Sequence, residues 1–266
     1  MNNIGEANEI IKKAFQSHSK GNILEAKKYY EQFVNKGFKD ERVFSNLGLI
    51  LKYLGKLKEA ELYTRKAIQL NPNFAMAYSN LGGILINIGK LKEAELYTRK
   101  AIEIDPNYAN AHSNLGNILK DLGKLNEAEI YTRKAIELNP NLEMAYSNLG
   151  NILKDLGKLN EAKLSYQKAI QLNPNYANAH SNLGNIFRDL GKLKDAEIYT
   201  RKAIALNPNL EMAHSNLGSI LRDLGKLNEA ELSYHKAIQI NPDFADALLN
   251  LGSILSDLGK LNEAEI

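Results

Sequence analysis

The sequence predicts an all-α fold, a solenoid of paired helices, and three observations predict it. The six prolines, Pro72, Pro106, Pro140, Pro174, Pro208 and Pro242, stand 34 residues apart, and no proline lies outside the series. Glycine keeps the same period as Gly55, Gly89, Gly123, Gly157, Gly191, Gly225 and Gly259. Between these marks run helix-forming stretches without the alternation that marks a strand. Fixed self-similarity at such a period is the signature of a repeat array, in which each unit buries its apolar face against its neighbours.

With the residue two past each proline taken as position 34, full units run 41–74, 75–108, 109–142, 143–176, 177–210 and 211–244. A seventh copy occupies 245–266. Residues 7–40 fit the frame weakly, keeping Gly21, Glu25 and Ala26 but holding Phe38 in place of proline, so 1–40 reads as a divergent first repeat or cap. Within a unit, positions 1–14 predict the first helix, ended by the position-15 glycine in a left-handed conformation. Positions 17–30 predict the second, closed by Asn/Asp-Pro, which cannot continue a helix. A longer period overlies the first: 109–176 and 177–244 agree at 55 of 68 positions, a two-unit duplication.

On a helical wheel of about 100° per residue, the first helix of 109–142 divides cleanly. Ala111, His112, Leu115, Gly116, Ile118, Leu119 and Leu122 share one arc, which must be buried. Asn110, Ser113, Asn114, Asn117, Lys120 and Asp121 share the other, expected to face outward and to line a groove once repeats stack.

Composition excludes several classes. Cysteine is absent, so no disulfide framework, cysteine–zinc site or thiol nucleophile is available. The start MNNIGEANEI lacks the basic and apolar segments of a secretory signal, and no apolar run approaches the roughly 20 residues a membrane helix needs. A net charge of +3 argues against general polyanion binding. A cytoplasmic protein without membrane or nucleic-acid partners is the expectation.

The run AHSNLGNILKDLGKLNEAEIYTRKAIELNP (111–140) resembles a tetratricopeptide repeat, with Leu115, Gly116, Ala128, Ala135 and Pro140 at the signature positions. That resemblance covers 41–266 and implies a right-handed α-α superhelix. Two departures stand out. Position 11, often Tyr in the family, is Leu or Phe. Position 24, usually aromatic, is Thr64, Thr98, Thr132 and Thr200, with Tyr moved to position 23, whereas Tyr166 and Tyr234 restore it.

Catalysis finds no support in the motifs. His112, His180 and His214 recur at position 4, where Phe44, Tyr78 and Tyr146 stand in other units, and read as substitutes for a packed aromatic. Their expected separation of about 10 Å is too wide for a shared metal. No Ser–His–Asp arrangement, phosphate-cradling loop or HExxH is present, and no cofactor is expected. Position 12 is basic in Lys52, Lys120, Lys154, Arg188 and Arg222, but Asp121, Asp155, Asp189 and Asp223 stand next to four of them, which neutralises a phosphate-tracking stripe.

The amide columns carry the functional signal. Position 6 is Asn46, Asn80, Asn114, Asn148, Asn182, Asn216 and Asn250, and position 9 adds Asn117, Asn151 and Asn185. An asparagine amide both donates and accepts, so a column of them can hold an extended backbone. The same residues can equally serve inter-repeat hydrogen bonds, and the sequence leaves both readings open. The array is similar to the superhelical repeat region of O-GlcNAc transferases, and that similarity implies that the position-6 asparagines, with Asn117, Asn151 and Asn185, contact substrate backbone. It does not carry the transferase activity, because no catalytic segment is present.

The function expected is therefore a protein–protein interaction scaffold that binds other proteins or peptides in extended conformation. Lys120, Lys154, Arg188 and Arg222 are its secondary ligand contacts. The alternative is the substrate-targeting arm of a larger glycosyl-, sulfo- or methyltransferase whose catalytic domain would follow Ile266. End-to-end self-association is also expected, through Leu251, Ile254, Leu255 and Leu258 left exposed in the last repeat.

Overall fold

The structure, a computed structural model, describes the backbone of residues 2–259 and the side chains of residues 4–259. The described residues form fifteen α-helices and no strand. They fall into two compact units, 1–139 and 140–266. The first holds α1 (Asn2–Ser19), α2 (Ile23–Asn35), α3 (Glu41–Tyr53), α4 (Leu57–Leu70), α5 (Ala75–Asn87), α6 (Leu91–Ile104), α7 (Ala109–Asp121) and α8 (Leu125–Leu138). The second holds α9 (Glu143–Asp155), α10 (Leu159–Leu172), α11 (Ala177–Asp189), α12 (Leu193–Leu206), α13 (Glu211–Asp223), α14 (Leu227–Ile240) and α15 (Ala245–Asp257). The second helix expected within 245–266 lies outside the described residues.

In each unit a helix packs on its neighbours in sequence. The odd-numbered helices also touch one another, α3 on α5 on α7 in the first unit and α9 on α11 on α13 on α15 in the second. Within each unit these odd helices thus form one layer, and the even ones back it.

Local chemistry sets the boundaries. Gly123 adopts φ +75°, and its N–H reaches the Lys120 carbonyl while Lys124 N–H reaches that of Leu119. These two bonds close the end of α7 as a left-handed glycine cap does. The first helix of a regular unit therefore stops at position 13, one residue short of the expected end, because position 14 is already part of the cap. At the other end, Asn139 is extended (φ −139°) ahead of Pro140, so α8 stops at Leu138.

Two interdigitations hold each pair together. Position 8 must be glycine because the position-24 side chain sits over it: a Cβ on Gly116 would overlap Thr132 Oγ1, and one on Gly150 would come within 2.6 Å of the Tyr166 ring. Where position 23 is Tyr, the position-4 ring packs on it, with ring centroids 5.9 Å apart for His112–Tyr131 and 6.0 Å for Phe44–Tyr63. Each of the three histidines adds a bond that the sequence did not reveal. Nε2–H donates to the carbonyl of the preceding proline: His112 to Pro106 (2.8 Å), His180 to Pro174 (3.0 Å) and His214 to Pro208 (2.9 Å). The histidines are buried packing residues that also satisfy a turn.

Two expectations need correction. Ser113 is not on an outward face but 2% exposed, and Ser45, Ser79, Ser147, Ser181 and Ser215 are likewise buried, because position 5 lies where consecutive odd helices meet. Leu251, Ile254 and Leu255 are not an exposed end either. They are buried with Leu217, Leu221 and Tyr234, and Leu258 packs partly against them. Because positions 7, 10 and 11 face the preceding pair, the exposed apolar residue of α15 is instead Leu249, at 77%.

Candidate functional site

The asparagines of position 6 are half-buried on the odd helices. The amide nitrogens of Asn46, Asn80, Asn114, Asn182 and Asn216 are tied to the preceding repeat, and the partner follows the type of residue at position 24. After a threonine-type repeat the partner is the buried serine at position 5. Asn80 Nδ2 donates to Ser45 Oγ, Asn114 Nδ2 to Ser79 Oγ and Asn216 Nδ2 to Ser181 Oγ, each at 3.0 Å. The Ser79 carbonyl, which can only accept, also lies 3.5 Å from Asn114 Nδ2 and fixes the sense of that amide.

After a tyrosine-type repeat the partner changes. Asn46 Nδ2 donates to Tyr30 OH at 3.2 Å. Tyr166 OH donates to Asn151 Oδ1 at 2.7 Å, and Asn182 Nδ2 donates to the same oxygen at 3.1 Å. Burial pushes the Tyr30 hydroxyl up to about 12 and that of Tyr166 higher still, so both remain protonated donors.

This wiring leaves a defined set of amide atoms without a protein partner. Asn80, Asn114, Asn182 and Asn216 have committed Nδ2, and their Oδ1 has no partner among the described residues. Asn151 is the reverse: Oδ1 accepts twice and Nδ2 is open. Both readings of the column are thus compatible in one side chain, the nitrogen joining repeats and the oxygen left to a ligand.

The second unit holds a cavity of about 330 Å³, lined by residues of α9, α11 and the start of α13. It brings together three of the expected residues, Asn148, Asn151 and Asn182. Asn185, Asn216, Asn250, Lys154, Arg188 and Arg222 do not line it. In the first unit, Asn117 is half-buried and Lys120 pairs with Asp121 at 3.0 Å. Arg188 pairs with Asp223 at 2.6 Å, one repeat on, and Arg222 lies 4.0 Å from the same carboxylate. Lys120, Arg188 and Arg222 thus each lie within ion-pair distance of an aspartate of position 13.

Sequence reasoning missed Glu211 and Tyr176 on the cavity wall. The available signal was position 1, which is Glu in Glu143 and Glu211, each followed by Met, but Ala in Ala109 and Ala177.

Comparison with known families settles the class. Models described as tetratricopeptide repeat match residues 41–74, 109–142 and 177–210, and 63–95 and 131–163. A model described as TPR repeat matches 84–123, 150–191 and 218–259. The chain belongs to the tetratricopeptide-repeat family. As a tetratricopeptide-repeat array it is a scaffold for protein–protein interaction, an architecture that is typically non-catalytic.

Its fold is similar to that in the crystal structure of the APC/C hetero-tetramer Cut9–Hcn1. That chain is 18% identical with a TM-score of 0.80, over 91% of this chain and 48% of that one. This tetratricopeptide-repeat chain therefore spans about half the length of that relative. It is also similar to Pseudomonas aeruginosa pilF, 24% identical with a TM-score of 0.62, over 71% of this chain and 86% of that one. Both likenesses are of fold, and neither is to an O-GlcNAc transferase. No curated protein matches the chain. Among the described residues no helix is long and apolar enough to cross a membrane.

Proposed function

We propose that the array binds an extended polypeptide along the asparagine-lined face of its odd helices. The observation that supports this reading is the pairing of the position-6 amides: in Asn80, Asn114, Asn182 and Asn216 the nitrogen is committed to the preceding repeat, which leaves the oxygen without a protein partner and able to accept from a backbone N–H. Preorganised acceptors of this kind cost little entropy on binding. At about 10 Å per helix pair and about 3.3 Å per residue of extended chain, one asparagine meets roughly every third ligand residue. The hetero-tetramer that Cut9 forms with Hcn1 is consistent with a protein partner.

Replacing Asn114, Asn148 and Asn182 together with Ala tests the proposal. Three lost hydrogen bonds of about 1 kcal/mol each weaken binding of an unstructured polypeptide by on the order of a hundredfold. Fluorescence anisotropy reads the affinity, and a melt run in parallel separates it from the lost inter-repeat bonds. Unchanged affinity in a folded variant refutes the groove reading and leaves the asparagines a purely structural role.

A further inference from the structure

The cavity of the second unit has a chemistry of its own. Its wall holds one ionisable acid, Glu211, and no cation. Glu211 makes no ion pair or hydrogen bond among the described residues, whereas Glu61, Glu95 and Glu197 on the even helices are each held by two cations. Beside it, Met212 is 49% exposed, and Leu210 and Tyr176 complete an apolar strip. Asn182 adds an open carbonyl oxygen, while Asn151 Oδ1 is already saturated by Tyr166 and Asn182.

Unpaired charge, acceptor oxygen and apolar strip together describe the complement of a long aliphatic side chain that ends in a cation. Its stem would lie on Met212, Leu210 and Tyr176, and its head would reach Glu211 and Asn182 Oδ1. An anionic side chain would meet Glu211 with nothing to offset the repulsion, and a purely apolar one would desolvate the carboxylate without a partner. About 330 Å³ is the low end of ligand pockets, a size suited to one side chain rather than a whole small molecule.

We infer that this cavity is a subsite for a lysine or arginine side chain of the bound polypeptide. The inference rests on the groove reading above.

The probes are two fluorescein-labelled Gly/Ser peptides of about 14 residues, one with a single central lysine and its twin with norleucine there. The intact protein is expected to bind the lysine peptide about fivefold tighter, the size of a half-exposed ion pair. Glu211→Gln should abolish that preference while leaving affinity for the norleucine twin unchanged. Glu103→Gln, which removes the same charge from an exposed position on α6, should retain it. Equal binding of the twins to the intact protein, or a preference that survives Glu211→Gln, overturns the subsite and leaves the groove standing. Failure of both peptides to bind at millimolar concentration overturns the subsite and the groove reading together. A melt of Glu211→Gln that matches the intact protein excludes loss of fold as the cause.

Discussion

Asn182 donates to Asn151 Oδ1 across 3.1 Å, although the serine that serves its counterparts is present one repeat earlier as Ser147. The choice follows from Tyr166, whose hydroxyl reaches up under Gly150 and holds Asn151 in place. A threonine there is too short, and the amide falls back on serine, as Asn216 does with Ser181. One buried position therefore sets the polar pattern of the groove above it.

The serine–asparagine bonds should be measurable as couplings. Asn80→Ala and Ser45→Ala are each expected to cost about 1 kcal/mol, since each strands a partly buried polar group. The double variant should cost less than the sum by about 0.5–1 kcal/mol. Hydrogen exchange of α3 and α5 amides gives the local free energies, which a global melt of a repeat array would blur. Strict additivity would mean that the bond contributes nothing.

Glycine at position 8 should be irreplaceable where the position-24 side chain covers it, and Gly5, in open helix, should not. Gly116→Ala drives a methyl into Thr132 and is expected to destabilise by about 1–3 kcal/mol. Gly5→Ala, with open space around it in α1, should stabilise by up to about 1 kcal/mol through helix propensity alone. Thermal melts of the two variants should move in opposite directions.

Alkaline pH should loosen the tyrosine-type repeats. Tyr30 is raised by burial from 10.0 to about 12, so the folded state keeps a proton that the unfolded chain releases. Stability is fully present below pH 10, falls as pH rises from 10 towards 12, and is expected to fall less in Tyr30→Phe. Denaturant midpoints across that range, with tyrosinate absorbance as the second readout, check the sign.

The ion pairs of the even helices should contribute weakly and be sensitive to salt. Arg99 joins Glu95 at 2.8 Å and Glu127 at 2.6 Å, with Tyr131 OH at 3.0 Å, bridging α6 to α8. Because these groups are substantially exposed, Glu127→Gln should cost no more than about 1 kcal/mol. Most of that should vanish at 1 M salt, where the Debye length is about 3 Å.

The fold was legible because its signals are backbone signals. Pro140 and Gly123 dictate local conformation by themselves, and their period needs no tertiary information. The histidine column was legible for a similar reason: His112 stands where Tyr78 stands, so the packing of one predicts that of the other. Ser113 was misplaced because a wheel drawn for one helix cannot show what the adjacent odd helix covers. Glu211 was invisible for a further reason. A carboxylate in the first turn of a helix is ordinary, and only the cavity between α9, α11 and α13 distinguishes it. The inter-repeat role of the position-6 asparagines could be named from the sequence, but which atom of the neighbouring repeat each would meet could not.

The wiring of position 6 also bears on how the array can change length. Asn46 and Asn182 take their partners from tyrosine-type repeats, and Asn80, Asn114 and Asn216 from threonine-type ones, so each junction depends only on the repeat before it. The serine of position 5 is kept even at Ser147, where Asn182 bypasses it. A threonine-type repeat can thus be inserted or excised whole, and the asparagine that follows finds a waiting serine. A tyrosine-type repeat of the 143–176 kind brings its own acceptor, Asn151. Recombination could then tailor the reach of the groove in steps of a single repeat without first having to repair the seam.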